Sequence, residues 1–405
     1  MCDVDSSAEP IMLCVMPRWR TFEPGNLMEA KARAVIDQQI AEWWAAFTPR
    51  AGAFLAEYPA NAHDQLQVKD LMEQHFQVID ERLCWELASE GPQRMRLVLT
   101  PESHYECTLL IEHILASAPT LPGWRFLRWR IPESMQKTRI TVEGRTAKAW
   151  RSNGCRFTCS DAHEVDVAFG YPLEVVHHNV DLAHEQSRIA LETLIGEEAV
   201  YEWIGTISIR EVDHHDLPLE TCQASFTEAL KGMVSRLPRT LYADRAATSV
   251  WTAFNNDPEQ SADYTKQSDL IGARCMDQEL WQASHGTSLF HSSHFSSKER
   301  FCYLKIDRAV SLSGWTIDDR EHLSSLIDDA LRPLHLGGSI GGGTGLRYSY
   351  IDLALTDWHW AMQVIRPILA ANHMPERTWL LFYDSAWCNE WVGLNAGSPP
   401  PFGVE

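Results

Sequence analysis

The feature that most constrains the fold of this chain is the glycine-rich stretch 336–346, in which six glycines occupy nine consecutive positions. Glycine permits positive φ and close backbone approach, so such a stretch can cradle a phosphate. A phosphate cradle and a G-x-S-x-G nucleophile elbow both need a strand before the glycines and a helix after them. Apolar spacing predicts the reverse order, a helix over 321–334 and a strand over 347–355. We therefore expect a mobile or tightly turning connection, with neither a nucleotide site nor a catalytic Ser339.

Composition narrows the class of protein. The chain has 405 residues, 45% of them hydrophobic, which predicts a globular protein of two or three domains. The formal charge of −20 argues against general nucleic-acid binding and suits a partner with a basic surface. No apolar run reaches the ~18 residues of a membrane span. Ten scattered cysteines and an acidic N-terminal stretch predict a cytoplasmic location.

Apolar periodicity predicts an α+β fold. Two helices are expected near the N terminus, over 27–48 and 64–89. Strand–helix–strand patterns then recur three times along the chain, at Arg94, Val165 and Phe301. The third pattern lacks one strand of β-α-β-β-α-β, and the glycine region is the candidate for it.

We therefore expect two ferredoxin-like (βαββαβ-type) modules behind an N-terminal helical pair. The expected boundaries are 1–92 for the helical region, 93–212 for the first module, 213–298 for a connecting helical and loop segment, and 299–405 for the second module with its tail.

Two stretches resemble segments of known sequences. APTLPGWRFLRWRIPE, with Ala118-Pro119 and Gly123-Trp124, and LIGEEAVYEWIGTI, with Gly196-Glu197, resemble stretches of uncharacterised bacterial proteins grouped as domains of unknown function. The resemblance covers about a quarter of the chain and implies a bacterial origin. It implies no activity and no site.

Two groups of side chains could bind a metal, and each has a structural alternative. They are His285, His291 and His294, and Cys155, Cys159 and His163. The histidine spacings match no common closed zinc site, and an exposed serine-rich loop is the alternative. The second group would need a fourth zinc ligand from elsewhere, and small buried cysteines explain it equally well. The run from Asp213 to Asp216 contains two acids and two histidines, but adjacent strand residues point to opposite faces, and a solvated loop is expected there. We predict no cofactor.

The chain is locally basic between Trp124 and Arg151. Arg125, Arg128 and Arg130 alternate there with aromatic residues, as in surfaces that bind single-stranded nucleic acid. In so acidic a chain, we favour pairing of these arginines with carboxylates of the same protein.

Two functions follow as hypotheses. The first is a non-catalytic cytoplasmic protein whose acidic surface binds a basic protein partner, as an inhibitor or immunity protein does. The alternative is a metal-assisted hydrolase that uses the histidine and cysteine groups. The first is favoured because the sequence contains no HExxH motif and no complete Walker motif.

Overall fold

The structure of the protein is a computed structural model, and it describes residues 27–57, 62–160, 163–245, 248–286, 288–309, 317–395 and 397–401. The strands in these ranges form three separate sheets. Each sheet and its helices make one module, which we name by position: the N-terminal module (27–127), the middle module (135–234) and the C-terminal module (242–401). The fold is therefore mixed α and β, as predicted. The expectation about the acidic N-terminal stretch concerns residues 1–26, which lie outside the described ranges.

The N-terminal module packs helices against a three-stranded sheet. Its elements are α1 (Leu27–Glu57), α2 (Ala62–Leu71), β1 (Cys84–Gly91), β2 (Arg94–Thr100), α3 (Thr108–Ala116) and β3 (Trp124–Leu127). β1 and β2 pair antiparallel, and β3 joins β2 as a parallel neighbour. One face of α1 is buried at helical spacing by Ile36, Ile40, Trp43, Trp44 and Phe47.

The two predicted N-terminal helices differ from the observed ones. The first passes through Pro49 to Glu57, because Ala51 and Phe54 continue its buried face. The second ends at Leu71 and continues as a π-helical turn to Phe76. Residues 84–91 are strand β1, so the expected helix over 64–89 is wrong in its second half. Trp85 and Leu87 alternate with Glu86, which is the period of a strand.

The middle module repeats the connection order of the N-terminal module. Its elements are α4 (Met135–Thr146), β4 (Gly154–Cys159), β5 (Val165–Tyr171), α5 (Leu173–His178), α6 (Val180–Ile195), α7 (Glu197–Trp203), β6 (Ile204–Glu211) and α8 (Cys222–Val234). β4 and β5 pair antiparallel, and β6 joins β5 in parallel. The single module expected over 93–212 is therefore divided. β3 ends the first sheet at its edge, and the next hairpin begins a second sheet.

The C-terminal module contains a seven-stranded antiparallel sheet. Its elements are α9 (Tyr242–Arg245), β7 (Thr252–Asn255), β8 (Leu270–Cys275), α10 (Gln278–His285), β9 (Arg300–Asp307), α11 (Ile317–Leu331), β10 (Gly337–Gly345), β11 (Tyr348–Leu355), α12 (Trp358–Ala371), β12 (Thr378–Phe382) and β13 (Trp391–Gly393). The spatial order is β13-β12-β9-β11-β10-β8-β7, with every neighbouring pair antiparallel. The segment expected to be a connection, 213–298, supplies two of these strands, β7 and β8.

The glycine stretch is a buried strand of this sheet, and the expectation of a mobile or turning connection was wrong. β10 pairs with β11 on one side and with β8 on the other. A Cβ atom on Gly337 would lie 1.9 Å from the carbonyl oxygen of Ala354, and one on Gly343 would lie 2.9 Å from that of Gly272. Glycine is therefore required here because the neighbouring backbones leave no room for a side chain.

The two faces of the large sheet differ in chemistry. The face under α11 and α12 is apolar and carries Leu304, Ile306, Ile351, Leu353 and Leu380. The opposite face is aromatic and charged, with Lys305, Tyr348, Tyr350 and Asp352 all buried. In the part of the chain that the structure describes, no helix is long and apolar enough to cross a membrane.

Candidate binding site at the junction of the three modules

A cavity of about 420 Å³ lies where the three modules meet. The N-terminal module contributes α3, the middle module contributes α7, and the C-terminal module contributes the 291–300 loop and residues that follow β12. Arg128 and Trp129, between β3 and α4, complete the wall. We call this space the junction cavity.

Stacked aromatic rings form one wall of the junction cavity. The ring of Tyr201 lies 3.9 Å from that of Tyr105, 5.7 Å from that of Trp129 and 4.7 Å from that of His291, measured between centroids. The indole N–H of Trp129 and the hydroxyl of Tyr201 are buried and have no hydrogen-bond partner among the residues that the structure describes. Unpaired buried polar atoms are uncommon, and they mark a place where a bound group can complete the hydrogen bonding.

Helix α7 brings carboxylates into the same cavity. Glu198, Tyr201 and Glu202 lie three and four positions apart and so share one side of the helix. Arg128 forms an ion pair with Glu198 and another with Glu112 of α3. Glu202 makes no ion pair with any of the described residues.

The environment of Glu202 disfavours its charge. Burial raises the pKa of its carboxyl group and the charges of Glu198 and Asp384 raise it further, while the hydrogen bond with Ser293 and the charge of Arg128 lower it in part. A positive group in the junction cavity would relieve this cost, because an opposite charge nearby favours the ionised carboxylate.

The base of the cavity is held by Asp384. Its carboxylate accepts hydrogen bonds from the backbone N–H of Ser292 (2.8 Å) and from the hydroxyl of Ser292 (2.6 Å). Arg300 forms an ion pair with it at 3.0 Å and lies 4.0 Å from the ring centroid of Trp387. These contacts give the base a defined shape.

The Ser292, His291 and Asp384 side chains are not arranged as a nucleophilic triad. The Ser292 hydroxyl donates to Asp384 and accepts from the N–H of Phe301. In such a triad the histidine is the base of the serine, whereas the ring of His291 faces Tyr201 and His294. Burial lowers the pKa of His291 to about 3, so the ring is neutral at physiological pH. The junction cavity combines aromatic faces with a carboxylate that makes no ion pair among the described residues, and both features favour a cation.

The residues of the first predicted metal group lie in two places. The rings of His291 and His294 have centroids 5.0 Å apart, and a ring N–H of His294 donates to the carbonyl oxygen of Glu202. His285, at the end of α10, hydrogen-bonds Gln267 and the carbonyl oxygen of Trp281 instead.

The residues of the second predicted metal group are also spread apart. Cys155 and Cys159 lie four residues apart on β4, which separates them by about 13 Å along a strand. The thiol of Cys155 hydrogen-bonds that of Cys222 on α8. The ring of His163 packs against Phe295, with centroids 5.6 Å apart.

One group of three metal-ligating side chains does meet within the described ranges. Asp213, His214 and His215 place one ligand atom each within 4.8 Å of the others, on an exposed loop after β6. This is the loop that the sequence predicted to be solvated.

The basic segment contributes ion pairs within the protein. Arg125 pairs with Glu90 at 2.8 Å, and Arg128 pairs as described above. Arg130 is the most enclosed, with carboxylates of Glu86, Glu102 and Glu197 around its guanidinium. The interleaved Trp124 and Phe126 pack into the core of the N-terminal module. The arginines and rings are thus occupied within the chain, which is the alternative that the sequence favoured.

The junction cavity was not predicted, and one local pattern could have shown it. In the strand–helix–strand pattern that begins at Val165, the alternation of Tyr201 and Trp203 with polar residues predicts the second strand, whereas α7 runs to Trp203 before β6 begins. The spacing of Glu198, Tyr201 and Glu202 is helical and is visible in EEAVYEW. Comparison of the chain with protein-family models, with curated proteins and with solved structures finds no match.

Proposed function

We propose that this is a non-catalytic bacterial cytoplasmic protein that binds a basic protein partner, as an inhibitor or immunity protein does. The observation that carries the proposal is Glu202, a carboxylate that burial disfavours and that makes no ion pair with the described residues, in a cavity walled by Tyr201 and Trp129. A lysine or arginine side chain of a partner would supply the missing charge and would lie against aromatic faces. Side chains buried in such pockets dominate the energetics of many interfaces.

The distribution of charge supports a basic partner. Arginines of the 124–151 segment form ion pairs within the chain, and the whole chain retains a formal charge of −20. The excess of carboxylates attracts a basic surface over roughly a Debye length, about 8 Å at physiological salt.

Affinity purification from the native cell tests the proposal. The baits are the wild-type chain, Glu202→Gln and the control Glu185→Gln, which removes the same charge from an exposed position on α6. We expect wild type and Glu185→Gln to recover the same basic protein at low salt, and Glu202→Gln to recover much less of it. Recovery should fall in about 0.5 M salt, where charges are screened beyond a few ångströms. If no protein is recovered at low salt, the proposal is wrong.

We also propose that residues 300–382 form a ferredoxin-like module. Its support is the element order β9-α11-β10-β11-α12-β12, with the strands in the spatial order fourth, first, third and second. The glycine strand β10 then takes the place of the strand that the sequence pattern lacked.

A metal-assisted hydrolase is the second candidate, and the Asp213, His214 and His215 group is the observation that favours it. Imidazole and carboxylate suit zinc, and a catalytic zinc needs three protein ligands and one open position. Elemental analysis of untagged protein separates the two candidates. Zinc near one atom per chain, lost on His214→Ala, would support the hydrolase, whereas less than about 0.1 per chain removes its basis.

A further inference from the structure

A second cavity, of about 310 Å³, lies in the C-terminal module between α11 and strands β8 and β10. We call it the arginine groove, and its defining residues are Trp251, Arg274, Arg320, Arg332, Ser339 and Gly341. Three arginines line it against two carboxylates, Glu321 and Asp328. The groove is therefore locally positive in a strongly acidic chain.

Strand β10 forms part of its wall through Ser339 and Gly341. A Cβ atom on Gly338 would lie 3.0 Å from Oδ1 of Asp328 on α11, so the absence of a side chain there leaves space beside the helix. The backbone of β10 is already paired with its neighbouring strands. A ligand here is therefore held by arginine side chains.

The two ends of the groove differ in free positive charge. Beyond the end of α11, Arg332 pairs with Asp328 at 2.8 Å, and Asp328 also accepts from the hydroxyl of Ser339 at 2.8 Å. That carboxylate balances Arg332. Near the start of α11, Arg274 and Arg320 share a single carboxylate oxygen of Glu321, at 3.2 and 3.7 Å. Among the described side chains that line this end, two arginines therefore face one carboxylate, and Asp352, on the other face of the sheet, partly offsets the charge of Arg320.

Arg320 is the least compensated of the three. Only 7% of its side chain is exposed, and its other described contact is with the Thr344 hydroxyl at 3.3 Å. Burial lowers the pKa of its guanidinium and the charge of Arg274 adds to the effect, while the charges of Glu321 and Asp352 oppose it in part. Each guanidinium has five N–H donors in a planar fork that matches an oxyanion, so donors remain for a second acceptor.

An aromatic surface adjoins these arginines. The guanidinium of Arg274 lies 5.0 Å from the ring centroid of Trp251, whose side chain also lines the groove. An organic group attached to a bound anion can pack against this indole.

We propose that the arginine groove binds a small phosphate monoester, with Arg274 and Arg320 holding the phosphate oxygens and Trp251 contacting the organic group. Charge-assisted, bidentate contacts from arginine are the strong form of phosphate recognition. The volume of the groove lies at the lower end of the range for small-molecule sites. This site is separate from the junction cavity and does not depend on the partner proposed above.

Isothermal titration of the full chain with inorganic phosphate and with phenyl phosphate tests the proposal, with sodium chloride at equal ionic strength as the blank. The variant is Arg274→Gln and the matched control is Arg188→Gln. The two arginines have similar exposure, 48% and 51%, and each pairs with one glutamate. We expect saturable binding to wild type, at least about tenfold weaker binding to Arg274→Gln, and a change below about twofold for the control.

Two further variants define the site. Glu321→Gln removes the competing carboxylate and should bind phosphate several-fold more tightly. Trp251→Leu should weaken binding of phenyl phosphate while leaving inorganic phosphate unchanged, which distinguishes an ester site from a general anion site. Two results would overturn the proposal: no saturable binding to wild type or Glu321→Gln up to about 10 mM, which is weaker than typical specific sites, or equal binding to Arg274→Gln and wild type.

Discussion

The ammonium group of Lys305 lies 4.1 Å from the ring centroid of Tyr348, beneath the surface of the C-terminal module. Lys305 is 2% exposed and donates a hydrogen bond to the carbonyl oxygen of Tyr264. Burial lowers the pKa of its ammonium group from 10.5 to about 8, although Asp269 and Asp263 partly oppose this. The folded protein therefore releases this proton at lower pH than the unfolded chain.

This difference predicts how stability changes with pH. Between about pH 8 and pH 10.5, the unfolded chain holds the Lys305 proton and the folded protein does not, so this group makes the free energy of unfolding rise with pH. The rise should be on the order of 3 kcal/mol, at 1.36 kcal/mol per pKa unit. Urea unfolding of wild type and Lys305→Met across this range measures it, because the variant lacks the contribution. Parallel pH profiles for the two proteins would contradict the buried position of the ammonium group.

The close approach of strands around the glycines gives a second prediction. Gly337 has φ of +116°, and its Cβ would collide with the carbonyl oxygen of Ala354. Gly337→Ala should therefore lower the free energy of unfolding by more than about 1 kcal/mol, since both strain and overlap act on the folded state. Gly144→Ala is the control, because Gly144 lies in α4 with nothing within 4 Å of a built Cβ. The control should gain about 0.5–1 kcal/mol. Equal effects would mean that β10 does not need glycine.

The junction cavity gives a third prediction, about Glu202. Its folded pKa is raised from 4.5, so the ionised carboxylate opposes folding at neutral pH and the cost disappears once the pH is below the unfolded value. Glu202→Gln should therefore stabilise the free protein at pH 7, with a gain that shrinks as the pH falls towards 4.5. Chemical unfolding at both pH values measures this, and Glu185→Gln provides the baseline for a solvent-exposed carboxylate. A gain of the same size at both values would show that the effect does not come from charge.

The basic segment gives a fourth prediction that separates two neighbouring arginines. Arg130→Ala would leave the buried carboxylate of Glu197 without its ion pair, which costs about 3–5 kcal/mol for enclosed pairs. Arg125 is 54% exposed, and loss of its pair with Glu90 should cost less than about 1 kcal/mol. Thermal and urea unfolding of the two variants compares them. Similar small losses would indicate that Arg130 is open to solvent and to external ligands.

Some of the elements could be predicted because their burial follows a simple period. The strands predicted at Arg94 and Phe301 are β2 and β9, whose residues are mostly apolar and are buried almost throughout. A strand between two covered faces has such a continuous apolar pattern. In α12 the buried residues Ala361, Ile365 and Leu369 recur at helical spacing, and Pro367 lies inside the helix without ending it.

The glycine strand escaped prediction because its evidence lies outside its own residues. Glycine is depleted in strands, so local preference argues against β10. Glycine is needed because Gly337 lies close to the backbone of Ala354 on one side and Gly343 lies close to that of Gly272 on the other. These distances exist only in the assembled sheet.

The junction cavity escaped prediction for a related reason. More than seventy positions separate Trp129 from Glu202, and more than one hundred and eighty separate Glu202 from Asp384. No motif connects them, and each has an ordinary local role in a turn or at the end of an element. Their convergence depends on how three separate sheets are placed.

Tyr201 is a side chain through which the middle module contacts both other modules. Its ring contacts Tyr105 of the N-terminal module and His291 of the C-terminal module, while its own backbone belongs to the middle module. A displacement of any one module would break a stacking contact and open the wall of the cavity. A partner that inserted a side chain there would contact all three modules at once. It would therefore bind the intact chain and not a proteolytic fragment that lacks one of the modules.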